Sequence, residues 1–533
     1  MTDIEVKHGQ GTREMSKTSL RALAGHGDPG KFGRMFPDLD PLVVDDGKLL
    51  ELAKAMKDSN PMGGDGDNDA IPAGFTYLGQ FVDHDITLDL TPLSEQSADP
   101  LATRNFRTPA LDLDNVYGMG PQLAPYQYDR DAKGKQTGKL LIGKTEVSGG
   151  PGGNIAAGDH DLPRSRFGRA IIGDERNDEN LLVSQTHLAF LKFHNRIVDL
   201  LKDDHPDWGA AELYREARRI ATWHYQWIVL YDFAERLTEP GLINKIRHDG
   251  RKFYRFKTTP YIPVEFGAAA YRLGHSMVRE EYNHNAVFSG QPGSFGPGTL
   301  PLLFHFTGKS GAILGDRAAD ADPADFPNGP GVFEGLPSNW VIDWRRFYDF
   351  STSPDEPGFS LNLSRKLDAF VVPALHTLPG ENQAANEHVL PFRNLARGVR
   401  LELPSGQAVA AEMAKQVQID QITTDELTSG PDGAALKDVG LQNHTPLWYY
   451  ILKEAQVKHD GKRLGPVGTM IIAETFLGLV HGDKSSFMWQ RTDWKPHLPA
   501  AKAGHFTMVD MLNFVGELDP IGEAAAAEQE PAE

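Results

Sequence analysis

Apolar residues recur at three- and four-residue steps over much of the chain, the signature of helices that bury one face. Phe75, Leu78, Val82 and Ile86 predict a helix over Phe75–Asp85, with Gln80 and His84 on its polar face. Leu181, Leu188, Leu191, Ile197, Val198 and Leu201 form a longer stripe, without Pro or Gly, and predict a helix over Leu181–Lys202. Similar patterns predict helices over Ala210–Leu237, Glu265–Met277, Leu447–Ala455 and Val467–Leu479. Period-two alternation is brief, at Gly398–Leu403 and Gln407–Ala410, and reads as short strands. Two Gly/Pro-rich stretches, Gly149–Gly158 and Ser289–Pro337, read as surface excursions. The expected fold is mainly α, with few short β-strands.

Outside the helical body, residues 1–70 read as a polar, turn-rich N-terminal arm that ends in the Gly63–Asp69 cluster, with regular structure starting after Pro72. Residues 491–521 read as a C-terminal extension packed on the body, and the Ala/Glu/Pro-rich tail 522–533 is expected to be disordered. The 533-residue length suggests roughly one domain per 150 residues. Hydrophobic residues at 40% and charged residues at 24% are those of a globular chain. A formal charge of −19 argues against a nucleic-acid partner. The absence of cysteine excludes disulfides and thiolate metal ligands. Met1–Lys17 lacks the apolar stretch of a signal peptide, and no apolar run long enough for a transmembrane helix follows. The cytoplasm is therefore the default location, with leaderless secretion left open, and the missing cysteines suggest a bacterial source.

Five motifs carry candidate chemistry. Leu78-Gly79-Gln80-Phe81-Val82-Asp83-His84-Asp85 puts Gln80 and His84 on one helix face. Gly173-Asp174-Glu175-Arg176-Asn177-Asp178-Glu179-Asn180 precedes the long helix, where acidic residues also suit a helix N-terminus. Thr108-Pro109-Ala110-Leu111-Asp112-Leu113-Asp114, followed by Val116-Tyr117-Gly118, alternates oxygen donors as a hard cation requires, and is equally an Asp-rich turn. Tyr271-Arg272-Leu273-Gly274-His275 sits in an apolar stretch, where a histidine is a metal ligand or a paired core residue. Arg393-Asn394-Leu395-Ala396-Arg397 follows downstream.

Together and in this order, the motifs resemble those of the animal-type haem peroxidases of the peroxidase-cyclooxygenase superfamily. The resemblance covers about residues 70–490 and implies one large helical catalytic domain over 71–490. It implies haem b as cofactor, hydrogen peroxide as oxidant, and halide, pseudohalide or small aromatic donors oxidised through a ferryl-oxo intermediate. It makes His84 the acid-base residue, with a pKa near neutrality. Gln80 then lines the distal pocket, holding water or halide, and Arg176 stabilises negative charge on the departing oxygen. It makes His275 the iron ligand and Asn394 the acceptor of that imidazole's other N–H. Arg397 pairs with a haem propionate, Arg272 belongs to the same cofactor shell, and Gly274 admits close approach of the porphyrin.

Asp83 and Glu179 stand where the family forms ester bonds to haem methyl groups. Asn180 stands where it can place a sulfonium-forming Met, which excludes that third link. The resemblance further implies a Ca²⁺ site from Asp85, Thr108, the carbonyl of Ala110, Asp112 and Asp114, clamping the distal helix, and a role in the response to oxidative stress. Two alternatives stay open: a fatty-acid dioxygenase of the same superfamily, and a non-catalytic calcium-binding adhesion-type relative. The dioxygenases carry a radical-forming Tyr three residues before the proximal His, where this chain has Arg272. The intact pair of His84 and Arg176 argues against a non-catalytic scaffold.

Overall fold

The computed structural model describes residues 32–88, 107–165, 168–308, 335–351, 359–378 and 384–522. The readings for Met1–Lys17, for most of the excursion beyond residue 308 and for the tail from 523 lie outside the described residues. The architecture is helical, with only two-stranded ladders beside the helices.

The helices that frame the site and its supports are α1 (Asp46–Ala55), α2 (Gly74–Ile86), α3 (Leu181–Asp204), α4 (Ala210–Ile228), α5 (Leu390–Arg400), α6 (Gly406–Ala414), α7 (Leu447–His459), α8 (Pro466–Gly482) and α9 (Met508–Val515). The expected helices α2, α3, α7 and α8 form within a few residues of their expected ends. Burial of Phe75, Leu78, Phe81, Val82 and Ile86 seats α2 in the core against α3. Asn180 caps α3, its Oδ1 accepting from Val183 N at 3.0 Å. Helix α4 runs into a π-helical turn, Val229–Ala234, where the Asp232 carboxylate accepts from Met508 N at 2.8 Å and so ties α9 to the body.

Three expectations are corrected. Residues 1–70 are not an irregular arm throughout: Asp45 caps α1, which buries Leu49, Leu52 and Ala53, and a strand at Asp67–Pro72 pairs with Leu363–Arg365. The helix expected over Glu265–Met277 is broken into a single turn, Val264–Gly267, and a 3-10 turn, Ala270–His275, with Ala269 between them out of helical geometry. The buried Glu265 carboxylate there accepts from Met35 N at 2.9 Å and Phe36 N at 3.0 Å, anchoring the N-terminal segment to the approach to His275.

The third correction concerns the two expected strands, both of which are helical. Alternating Val399, Leu401 and Leu403 mark the end of α5. Glu402 turns into the left-handed region at φ 53°, and Leu403 N donates to Gly398 O at 2.9 Å, the closure of a Schellman motif. Gln407–Ala410 lies in α6, where Ser405 accepts from Ala408 N at 3.2 Å as N-cap. The Gly149–Gly158 excursion is partly a hairpin, Ser148–Gly150 with Gly153–Ile155.

Burial also sets the acid limb of stability. His284 is fully buried and stacked on Phe288 with centroids 5.0 Å apart. Burial, helped by Arg346, pushes its pKa down to about 3. The unfolded chain, with an ordinary histidine pKa, then binds more protons than the native one as pH falls below about 6.5, so acid costs native stability. His284→Phe removes that penalty and is expected to raise stability at pH 5 by about 2 kcal/mol relative to its effect at pH 8. Urea unfolding at the two pH values measures the difference, and equal effects would refute it.

Candidate functional site

The C-terminal half of α2 presents Gln80, Asp83 and His84 toward the segment that precedes α3. His84 is 5% exposed, and its Nδ1 lies 2.7 Å from Asn177 Oδ1. Its Nε2 faces Glu179, with Oε1 at 4.0 Å. Burial, then the nearby Arg176 charge, pushes the His84 pKa down to about 3, which corrects the expectation of a value near neutrality. The ring is thus a neutral base across the physiological range. Gln80 is held at both ends of its amide: Nε2 donates to Glu179 Oε1, and Oε1 accepts from Asn180 Nδ2 at 2.9 Å.

Arg176 reaches back onto α2. Its Nη2 donates to the carbonyls of His84 at 3.1 Å and Thr87 at 2.6 Å. It also forms a fork with the Asp174 carboxylate, through Nε at 3.1 Å and Nη2 at 2.8 Å. Arg107 binds the same carboxylate. Burial works to raise the Asp174 pKa, but the two guanidiniums outweigh it and hold the group below the usual carboxylate range. Asp83 accepts from Thr87 Oγ1 at 2.8 Å, and burial raises its pKa against the pull of Arg176.

His275 ends the 3-10 turn, its ring neutral because burial, followed by the Arg272 and Arg393 charges, lowers its pKa to about 3. A neutral imidazole is what a metal ligand requires. A Cβ placed on the preceding Gly274 would meet nothing within 4 Å, so there is open space at that glycine. Asn394 Nδ2 lies 2.8 Å from His275 Nδ1, while its Oδ1 accepts from Arg272 Nη1 at 3.1 Å. The pairing of Asn394 with His275 is as expected, but the amide is turned the other way, because Arg272 competes for the oxygen. Ligation through Nε2 requires a proton on Nδ1, and hence the amide reversed. Arg397 lies one turn beyond Asn394 on α5 and is half-buried.

The two halves meet across α2. Tyr271 Oη donates to Gly79 O at 2.9 Å, and the Asp83 carboxylate feels the Arg272 charge. The segment around Tyr271 and Arg272 therefore packs on the stretch Gly79–Asp83 of α2. Sequence reasoning missed the roles of Asp174, Arg107, Asn177 and His187. A signal for His187 was its place on the apolar stripe of α3, where a polar residue must find a buried partner.

On the opposite side of α2, Asp85 Oδ2 accepts from Leu113 N at 3.2 Å. Burial, then the Asp114 carboxylate, pushes the Asp85 pKa up to about 7. The Asp112 pKa is raised by burial, Asp114 and Asp85, and its Oδ1 is buried without a hydrogen-bond partner. Thr108 and Ala110 border this group, with Ala110 N donating to Thr108 O at 2.8 Å. Hard oxygen donors whose mutual repulsion outweighs the pull of Arg107 and Arg218 fit a hard cation. Among the described residues, no group of three or more His, Asp or Glu side chains is gathered closely enough to hold a metal by itself.

Residues 91–307 match the animal haem peroxidase family. That stretch includes the Asp-rich loop, Arg176 and His275, while Gln80, His84 and Asn394 lie outside it. The chain is 35% identical to chorion peroxidase of Aedes aegypti over 112 residues, 20% of this chain and 14% of that protein. It is 26% identical to thyroid peroxidase of Homo sapiens over 428 residues, 74% of this chain and 39% of that protein. The chain thus spans well under half the length of these curated relatives. Its fold resembles that of peroxidase A from Dictyostelium discoideum, with TM-score 0.61 and 15% identity over 97% of this chain and 99% of that one. It also resembles a fatty acid alpha-dioxygenase from Arabidopsis thaliana, with TM-score 0.55 and 15% identity over 95% and 78%. No helix among the described residues is long and apolar enough to cross a membrane.

Proposed function

We infer that this chain, whose residues 91–307 match the animal haem peroxidase family, reduces hydrogen peroxide and oxidises halide, pseudohalide or small aromatic donors. The observation that supports the reading is that the turn carrying His275 packs on the helix carrying His84, through Tyr271 Oη on Gly79 O and the Arg272 charge near Asp83, with both imidazoles neutral. His275 would hold a haem, which would supply the electrons that reduce peroxide and take them back from the donor. Asn394 would turn its oxygen to His275 Nδ1 for that ligation, and Arg397 would pair with a propionate.

On the distal side, His84 Nε2 accepts a proton from the first peroxide oxygen and delivers it to the second, so that water leaves as the O–O bond breaks. The fixed positive charge of Arg176 favours the developing negative charge without a proton change of its own. The Gln80 amide N–H beside Glu179 borders the space that peroxide or a donor enters. Arg272 stands where a dioxygenase would carry its radical tyrosine, and the hydroxyl of the neighbouring Tyr271 is spent on Gly79 O, which favours peroxidase chemistry. A stopped-flow absorption spectrum taken on mixing with hydrogen peroxide tests the reading: no peroxide-driven change would overturn it.

We further propose that Asp85, Thr108, the Ala110 carbonyl, Asp112 and Asp114 hold Ca²⁺, which relieves the mutual repulsion of the carboxylates and fixes the end of α2. Exhaustive chelation is expected to lower the thermal midpoint by several degrees and to slow the peroxide step, with recovery on adding Ca²⁺ but not Mg²⁺. An unchanged melting curve after chelation would exclude a structural cation there.

A further inference from the structure

His84 is the near end of a buried hydrogen-bond chain that enters α3. Its Nδ1 lies 2.7 Å from Asn177 Oδ1, and Asn177 Nδ2 lies 2.9 Å from His187 Nδ1. Asn177 and His187 are fully buried and His84 is 5% exposed, so water does not compete for these contacts. An amide is directional: its oxygen only accepts and its nitrogen only donates. With the oxygen toward His84, that ring must carry its proton on Nδ1, which leaves the Nε2 lone pair facing the distal space. With the amide reversed, the proton moves to Nε2 and the base is lost.

The direction is favoured at the His84 end, where a ring that takes up a proton needs an acceptor at Nδ1, while at the far end His187 Nε2 is buried without a hydrogen-bond partner. Asn177 Nδ2 needs an acceptor, and His187 Nδ1 serves as one only while that imidazole is neutral and protonated on Nε2. Burial keeps the ring neutral by lowering its pKa to about 3. Its edge-on packing with Phe81, centroids 6.0 Å apart, ties it to α2 itself. When His84 takes a proton on Nε2, both its nitrogens become donors, and only the observed amide direction accommodates that state.

We propose that Asn177 and His187 are positioning residues that hold His84 in the Nδ1–H tautomer, so that proton exchange with peroxide takes place at Nε2 alone. The inference rests on the peroxidase reading for its purpose, but the hydrogen-bond assignment is measurable without catalysis. The chain passes through two residues, so each can be altered to a different effect. His187→Gln supplies a carbonyl acceptor and preserves the direction. His187→Phe removes the acceptor and frees the amide to turn. Asn177→Asp still accepts from His84 but cannot donate, so His187 must move its own proton from Nε2 to Nδ1 to reach the carboxylate.

The test is long-range ¹H–¹⁵N spectroscopy of the ¹⁵N-histidine-labelled full-length protein, paired with stopped-flow mixing against hydrogen peroxide. Among 19 histidines, the signals of His84 and His187 are assigned by their loss in His84→Gln and His187→Gln. We expect Nδ1–H at His84 and Nε2–H at His187 in the wild type. In Asn177→Asp we expect a switch of the His187 tautomer with His84 unchanged. In His187→Phe the His84 signal becomes mixed and the peroxide step falls about tenfold, as when roughly a tenth of the molecules hold the competent form. The donor-oxidation step stays unchanged, and His187→Gln restores the rate.

Nε2–H at His84 in the wild type, or a His187 tautomer indifferent to Asn177→Asp, overturns the proposal even if the protein is an active peroxidase. The expected tautomers in a protein that shows no spectral response to peroxide leave the hydrogen-bond chain standing and sink the peroxidase reading instead. If His187→Phe fails to fold, the Asn177→Asp tautomer switch still decides the matter.

Discussion

His84→Ala is expected to slow the peroxide-dependent spectral change by about a hundredfold or more, the usual scale for losing a positioned acid-base group. The loss falls on the peroxide step, because the proton leaving the first oxygen then has only water to receive it. His84 titrates at about 3 rather than near neutrality, so its protonation contributes no acid limb to the wild-type rate between pH 5 and 8. The sign follows from burial: the charged form is disfavoured, so the base stays ready until pH approaches the lowered pKa. Rate against pH in the wild type and in His84→Ala checks both points. A variant with an undiminished rate would remove His84 from the mechanism.

His275→Ala is expected to abolish the absorption spectrum of histidine-ligated haem and, with it, peroxide reduction. Asn394→Leu leaves the ligand in place but removes its orienting partner, with an expected loss of about 10–100-fold in haem affinity or activity. The order of the two effects is the test, since a purely structural His275 would make them similar. We propose in addition that Asp83 and Glu179 form ester bonds to haem methyl groups. Acid-acetone extraction of peroxide-treated wild-type protein then leaves the porphyrin in the protein fraction, and leaves none there in His275→Ala, which reduces no peroxide and so has no oxidant for the methyl groups. Free extraction from the wild type would exclude the links.

The legible part of this protein was the part governed by near neighbours. The α2 and α3 stripes place their apolar side chains at i+3 and i+4, and the core that they predict is the core observed. The motifs around His84, Arg176 and His275 were visible because local spacing fixes which side chains share a face. Segments near chain punctuation were misread for the same reason. Val399, Leu401 and Leu403 alternate by two in the sequence, but the third of them closes a helix from outside it through Glu402 in a left-handed turn. Ser405 was an N-cap that a strand reading passed over.

The sequence by itself determined that the chain is helical, that it carries two histidines in separate motifs, and that no thiolate takes part in its chemistry, since it has no cysteine. Only the tertiary structure decided how acidic those histidines are, which way the Asn394 amide faces, what Arg176 holds, and that Asn177 stands between His84 and His187. These depend on burial and on contacts between residues as far apart as 93 and 119 positions. Periodicity records only the side chains one turn away, whereas desolvation and hydrogen-bond direction arise when distant segments exclude water together.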